Sequence, residues 1–188
     1  MPFYYPNWIN DFWRIMGIIH FADKDHFCIP AEKRFDEPAI RSFCADEGLA
    51  FYDTACEIRR LRDNASDAFL EVVTPTDIPS LLQRIPDCRT IVTTGQKATE
   101  ILAEWLSSPI PCPAGPAAPC HFDQAKRAET RACERWPQPK SLRIPPVGGF
   151  LDTHIGPRPI RFWRMPSTSR AYPLPLARKA DAYRQLFL

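Results

Sequence analysis

Short runs of β-branched and aromatic residues alternate along this chain with runs whose apolar residues recur at helical spacing, and this alternation limits the fold more than any other feature. Thr90 to Thr94 is a strand run, Gly95 a turn, and Lys97 to Leu106 a helix run. Ile160 to Met165 is again strand-like, and the stretch from Leu176 to Phe187 places Leu176, Ala180, Tyr183 and Phe187 on one helical stripe. Between the two, Phe150 to Ile155 and Ile160 to Met165 flank Gly156-Pro157-Arg158, which reads as a hairpin. Towards the N-terminus, residues 8 to 19 carry Trp8, Ile9, Phe12, Trp13, Met16 and Ile19 at helical spacing. Ile40, Phe43 and Cys44 mark a second helix that stops at Gly48. Leu49 to Tyr52 is a short buried-strand candidate. Thr76-Asp77-Ile78-Pro79 starts a helix with Leu81, Leu82 and Ile85 on one face before Pro86 ends it. Strands alternating with helices predict an α/β fold: a mostly parallel central sheet covered on both faces, three layers in all, with ligands at the C-terminal ends of the strands.

Residues 107 to 146 interrupt the pattern. They hold nine of the chain's 21 prolines and three of its seven cysteines, with little apolar periodicity, and are expected to be an irregular insertion. The 188 residues, 45% of them hydrophobic, suit one domain with a sizeable core. Cys28, Cys44, Cys56 and Cys88 are scattered singly, as reduced and buried thiols would be. Cys112, Cys120 and Cys133, with His121 beside them, lack the Cys-x-x-Cys pairs of zinc sites, and neither a metal nor any other cofactor is expected. His20, His26 and His154 stand without partners at metal or triad spacing and read as core-edge or surface residues. Lys97 reads as an exposed residue in the first turn of a helix. No run of 18 apolar residues and no signal-peptide pattern is present, so a cytoplasmic protein without a membrane association is expected.

The chemistry concentrates in Met165-Pro166-Ser167-Thr168-Ser169-Arg170-Ala171-Tyr172-Pro173, a strand-to-helix loop dense in hydroxyls and ending in a cation. Backbone N–H groups at a helix start and Ser or Thr hydroxyls both hold phosphate oxygens, and an exposed Arg can enter a groove or a base stack. The plainer alternative is that Ser167, Thr168 and Ser169 are turn and capping residues. Net charge is only +2, but from Arg158 to Leu188 seven Lys or Arg face a single acid, Asp181, which would make a phosphate-attracting face.

The loop resembles the Met-Pro-Ser-Ser-Ser loop of the mismatch-specific uracil/thymine-DNA glycosylases, within the uracil-DNA glycosylase superfamily. Three further segments follow that family's order. Tyr5-Pro6-Asn7-Trp8-Ile9-Asn10-Asp11-Phe12-Trp13 is similar to its Tyr-Pro-x-x-x-Asn-x-Phe-Trp segment. Gly48 to Thr54 sits where it has a strand ending in Asn, and Ile91 to Ala98 where it has a strand, a Gly-Lys turn and a helix. The resemblance implies a base-excision-repair activity on DNA: an everted base held in a pocket while its N-glycosidic bond is hydrolysed. It implies Tyr5 as the ring stacked on the base, with Phe3 and Tyr4 as rivals, and Asp53 at the base edge. Asn10 would stabilise the loop or cap the next helix, and Pro166 would shape the loop. Ser167, Thr168 and Ser169 would hold phosphates, and Arg170 would fill the gap left in the duplex.

Two departures qualify the implied activity. The family's first motif, a strand followed by Gly-x-x-Pro-Gly, positions the catalytic water just upstream of the Tyr-Pro segment. This chain starts at Met1-Pro2-Phe3, so the first strand is expected to be missing, with low stability and little turnover. Asp53 stands where the superfamily commonly has Asn, and an ionised Asp only accepts hydrogen bonds. Two alternatives therefore accompany the glycosylase reading: a nucleic-acid-binding protein that keeps the loop without hydrolysis, and an interaction module whose aromatics Tyr4, Tyr5 and Trp8 bind protein.

Overall fold

The computed structural model describes residues 3–60, 70–107 and 143–188. The chain is mixed α/β with small sheets. In order, it forms α1 (Phe12–Phe21), β1 (Cys28–Ile29), a 3-10 turn (Pro30–Glu32), β2 (Arg34–Phe35) and α2 (Glu37–Asp46). Then come β3 (Ala55–Arg60), β4 (Leu70–Pro75), α3 (Ile78–Arg84), β5 (Thr90–Thr94) and α4 (Gln96–Ser107). The last elements are β6 (Gly149–Ile155), β7 (Arg158–Met165), α5 (Leu176–Arg184) and a terminal 3-10 turn.

The strand pairing differs from the mostly parallel sheet that the alternation led us to expect. Among the described residues only β5 and β7 pair in parallel, with Thr90 opposite Arg161 and Thr94 opposite Met165. β6 joins β7 antiparallel through the expected hairpin, closed at Ile155 and Arg158 by Gly156, whose φ of +58° suits a two-residue turn. The result is a three-stranded sheet in the order β5-β7-β6, beside two separate antiparallel pairs, β1–β2 and β3–β4. The β3–β4 hairpin was not foreseen, although Cys56-Glu57-Ile58-Arg59 alternates in polarity as a half-exposed strand does. Leu49 to Tyr52, expected as a buried strand, pairs with no strand among the described residues. Its apolar residues are used differently: Leu49 donates its N–H to the Cys44 carbonyl at the end of α2 (2.8 Å), and Phe51 joins a ring cluster with Tyr4, Tyr5 and Phe12.

The helix boundaries follow from capping. Asp36 opens α2 by accepting from Ala39 N, with a proline in the first turn, and Asp77 opens α3 by accepting from Ser80 N. Helix α1 starts at Phe12 rather than near Trp8, because Asn10 Oδ1 accepts from Phe12 N (2.9 Å) and so turns the chain at that point. At its other end the chain doubles back so tightly that a Cβ on Gly17 would stand 2.3 Å from the Asp23 carbonyl oxygen.

Strand β7 divides the core. Trp163 and Met165 belong to a largely aromatic cluster with Phe12, Trp13, Ile15 and Met16 of α1, Phe27, Phe35, Ile40 and Phe43 around α2, and Ala180 and Tyr183 of α5. Ile160 and Phe162 belong to a smaller aliphatic cluster with Leu82 of α3, Leu102 and Leu106 of α4, and Ile155 of β6. Alternation along an extended strand sends successive side chains to opposite faces, so one strand serves both clusters.

The expectations for three cysteines and for the C-terminal charge change. Cys44 is buried as predicted, but Cys28 and Cys88 are half-buried and Cys56 is exposed. The residues 108–142, including Cys112, Cys120, His121 and Cys133, lie outside the described residues, as does most of the expected insertion. Much of the C-terminal positive charge is committed to local partners. Arg158 donates to the Leu82 and Ile85 carbonyls, Arg161 pairs with Asp152, and Arg164 holds Pro145 O and Gln96 Oε1.

Candidate functional site

The C-terminal ends of the parallel pair β5 and β7 lie side by side, and the loops leaving them form the site. Gly95 N–H donates to the Met165 carbonyl (3.2 Å), and Gly95 has a φ of +92° that a side chain would strain. A Cβ there would lie 3.6 Å from Ser167 Cβ, so the β5–α4 turn and the hydroxyl loop touch.

The N-terminal segment runs across both. The Tyr5 hydroxyl is 2.8 Å from Thr94 Oγ1, at the end of β5. Further on, Asn10 and Ser169 form an antiparallel bridge, and Asp11 N–H donates to the Thr168 carbonyl (2.9 Å). Tyr5 and Ser167, 162 residues apart by number, are thus linked through the consecutive residues Thr94 and Gly95 at the end of β5.

Tyr5 is held in an unusual backbone state. Its φ of +54° is uncommon for an aromatic residue, which is a strain that surrounding contacts must support. The support is visible: the Tyr5 ring stacks on Phe12 at 4.3 Å and 10°, and meets the edge of Phe51. Burial raises the Tyr5 pKa, the Thr94 hydrogen bond opposes that rise, and the Asp53 carboxylate adds to it. Asp53 therefore lies within electrostatic reach of Tyr5, and of Tyr4, whose pKa is also raised, by burial first and then by Asp53. The Asp53 carbonyl accepts from Thr76 Oγ1 (2.6 Å), which ties this residue to the start of α3.

Phe3 is used as wall rather than as a free platform. Its ring lies along Trp13 (6.1 Å, 27°), with the Arg41 guanidinium 4.5 Å over it. Phe3, Tyr4, Phe51 and Arg41 line a wide cleft of about 340 Å³ that opens next to the Tyr5 ring cluster.

In the hydroxyl loop the two exposed or half-exposed serines and the buried threonine separate in role. Ser167 Oγ accepts from Ser169 N and Ser169 Oγ accepts from Ala171 N, both at 3.2 Å, so each serine caps a local turn. A hydroxyl that accepts in this way still carries a proton to donate. Thr168 departs from its expected role. Its side chain is 2% exposed, so it faces inward and cannot reach a phosphate. Pro166 is buried as well, and its carbonyl accepts from the Tyr183 hydroxyl (2.8 Å). Arg170 is half exposed, with Nε 3.3 Å from Asp11 Oδ1.

Beneath the loop lies a group that sequence reasoning missed. Lys179 is 1% exposed, and its Nζ donates to Asp11 Oδ2 (2.9 Å) and to the Ser169 carbonyl (2.7 Å). The signal was available: Leu176, Lys179, Ala180 and Tyr183 stand at i, i+3, i+4 and i+7, so Lys179 sits on the apolar stripe of α5. Asn10 accepts from Phe12 N just ahead of α1, whose N-cap is Asp11, and its backbone bridges to Ser169 of the loop. Lys97 lies in the first turn of α4, His20 packs between the rings of Phe43 and Phe187, and His26 stacks on Phe21.

Among the described residues no group of three His, Cys, Asp or Glu is placed to hold a metal ion, and no helix is long and apolar enough to cross a membrane. No protein-family model, curated protein or solved structure matches the chain.

Proposed function

We propose that this protein is a DNA glycosylase-like protein that everts a nucleotide and hydrolyses the N-glycosidic bond of uracil or of a mismatched or damaged base. The observation that carries the reading is the link from Tyr5 through Thr94 and Gly95 to Ser167, at the C-terminal ends of β5 and β7. An everted base needs a ring to lie on and donors for its flanking phosphates, and Tyr5 and the hydroxyl loop, distant in sequence but linked at the end of β5, would supply them. In this reading Tyr5 stacks on the base, Ser167 and Ser169 donate to phosphate, Arg170 enters the vacated stack, and Asp53 faces the base edge. The matching architecture is a three-layer α/β/α domain of the uracil-DNA glycosylase type. The two clusters on opposite faces of β7 support that arrangement.

One observation favours a second reading, nucleic-acid binding without turnover. The carboxylate buried beside the loop, Asp11, is taken up by Lys179 and Arg170, so it is not available to activate a water. Alkaline strand scission of a labelled duplex carrying a single uracil separates the two: cleavage supports the enzyme, and tight binding without cleavage supports the second reading. Both require binding to a labelled oligonucleotide that weakens steeply with salt. Salt-independent or absent binding removes both and leaves the protein-interaction module.

A further inference from the structure

We infer that Asp11 and Lys179 are a positioning pair that fixes Ser169 and Arg170 in the geometry required to hold an everted nucleotide. The inference rests on the nucleic-acid reading of the hydroxyl loop. It starts from a charge count. Two cations, Lys179 and Arg170, share the single carboxylate of Asp11, so this cluster carries one positive charge in excess. The two cations are placed very differently: Lys179 is 1% exposed, whereas the Arg170 side chain is half exposed. The excess charge therefore emerges at Arg170, beside the hydroxyls of Ser167 and Ser169, where an anion would be drawn.

The pair also sets the backbone. Lys179 Nζ clamps the Ser169 carbonyl from below at 2.7 Å, while Asp11 N–H takes the preceding carbonyl, that of Thr168, at 2.9 Å. Consecutive carbonyls of the loop are thus held by two residues that themselves form the ion pair. With both carbonyls pinned inward, the chain between them presents Ser169 and Arg170 outward. A buried lysine is costly unless paired and hydrogen-bonded, and this one meets that condition through Asp11 and through the Ser169 carbonyl of the loop it supports. Neither Asp11 nor Lys179 would touch the nucleic acid.

The test compares two duplexes of one sequence, intact and with a single tetrahydrofuran abasic site, which offers the gap that Arg170 would fill. Wild-type protein is expected to prefer the abasic duplex, and Arg170→Ala to lose that preference. The double variant Asp11→Asn/Lys179→Met removes both buried charges together, so that neither is left buried without its partner. It is expected to lose about tenfold of the preference by misplacing Arg170, while its affinity for the intact duplex and its salt slope stay unchanged. A merely structural pair would lower the melting temperature and leave the preference intact, and that result overturns the inference. If the double variant does not fold, Asp11→Glu, which keeps the charge and moves the carboxylate, must narrow the preference; an unaltered preference is then the overturning result. Failure of the underlying reading looks different, because wild-type protein itself would then show no preference between the duplexes.

Discussion

The two faces of β7 are built by different means. On one face Trp163 and Met165 meet α1, α2 and α5 in an aromatic cluster that continues into Tyr5, Phe51 and the hydroxyl loop. On the other, Ile160 and Phe162 meet α3 and α4 in a smaller cluster of leucines and isoleucines. Polar groups are buried on the first side together with their partners, as in Tyr183 on Pro166 O and Lys179 on Asp11. The comparison teaches that the site is an extension of the aromatic core, so its geometry is fixed by packing as well as by hydrogen bonds. The aliphatic side supports the same strand and contributes Gly95 and Thr94 only through β5.

The largest expected effect breaks the aromatic side. Trp13 is fully buried, contacts the rings of Phe3, Phe12, Phe27 and Phe51, and donates through Nε1 to the Tyr4 carbonyl. Trp13→Ala should cost about 3–5 kcal/mol by chemical denaturation and abolish oligonucleotide binding, since the Tyr5 support goes with it. Leu102→Ala, on the aliphatic side, should cost about 2–4 kcal/mol and leave binding largely intact at temperatures where the protein is folded. Equal loss of binding by the two variants would show that the faces are not separable.

Gly17 sharpens the comparison at the next level. The turn after α1 passes so close that a methyl group would overlap the Asp23 carbonyl oxygen, which is backbone and cannot swing away. Gly17→Ala should lower stability by about 1–3 kcal/mol. The helix caps test whether the two sides are equally well defined. Asp36 caps α2 beside the aromatic cluster and Asp77 caps α3 beside the aliphatic one, so each Asp→Ala change should cost about 1 kcal/mol. A much smaller loss at Asp77 would mean that α3 is held by Leu82 packing alone.

The same contrast explains what could be read from the sequence. Helices α2 to α5 and strands β5 to β7 announced themselves through periodicity, Asp and Pro at helix starts, and Gly at turns, all of which act within a few residues. Leu49 to Tyr52 misled because a short apolar run satisfies a strand pattern and a ring cluster equally well, and only the packing around Phe51 decides. The link from Tyr5 to the end of β5 was not legible, because Thr94, which bonds the Tyr5 hydroxyl, is one of several threonines in a strand and carries no local mark. Thr168 was misassigned because a hydroxyl triplet does not say which member points inward. That depends on the bridge between Asn10 and Ser169, a contact across the whole chain.

The smallest expected effect is a pH dependence of the aromatic side. Burial raises the Tyr5 pKa, and it raises that of Tyr183 well above the ordinary value, with Tyr5 as a secondary cause. A phenol whose folded pKa exceeds its unfolded value of about 10 contributes stability that is complete below that value and is lost as pH rises through the folded one. Denaturation midpoints should therefore be flat up to about pH 9 and fall above about pH 10. Tyr5→Phe removes one of the two groups together with the Thr94 hydrogen bond. Its midpoint should start lower by about 1 kcal/mol at neutral pH and fall less steeply in alkali, because one fewer buried phenol must ionise. If Tyr5→Phe reproduces the wild-type slope, Tyr5 ionises as freely folded as unfolded, and its surroundings are wetter than its ring contacts imply.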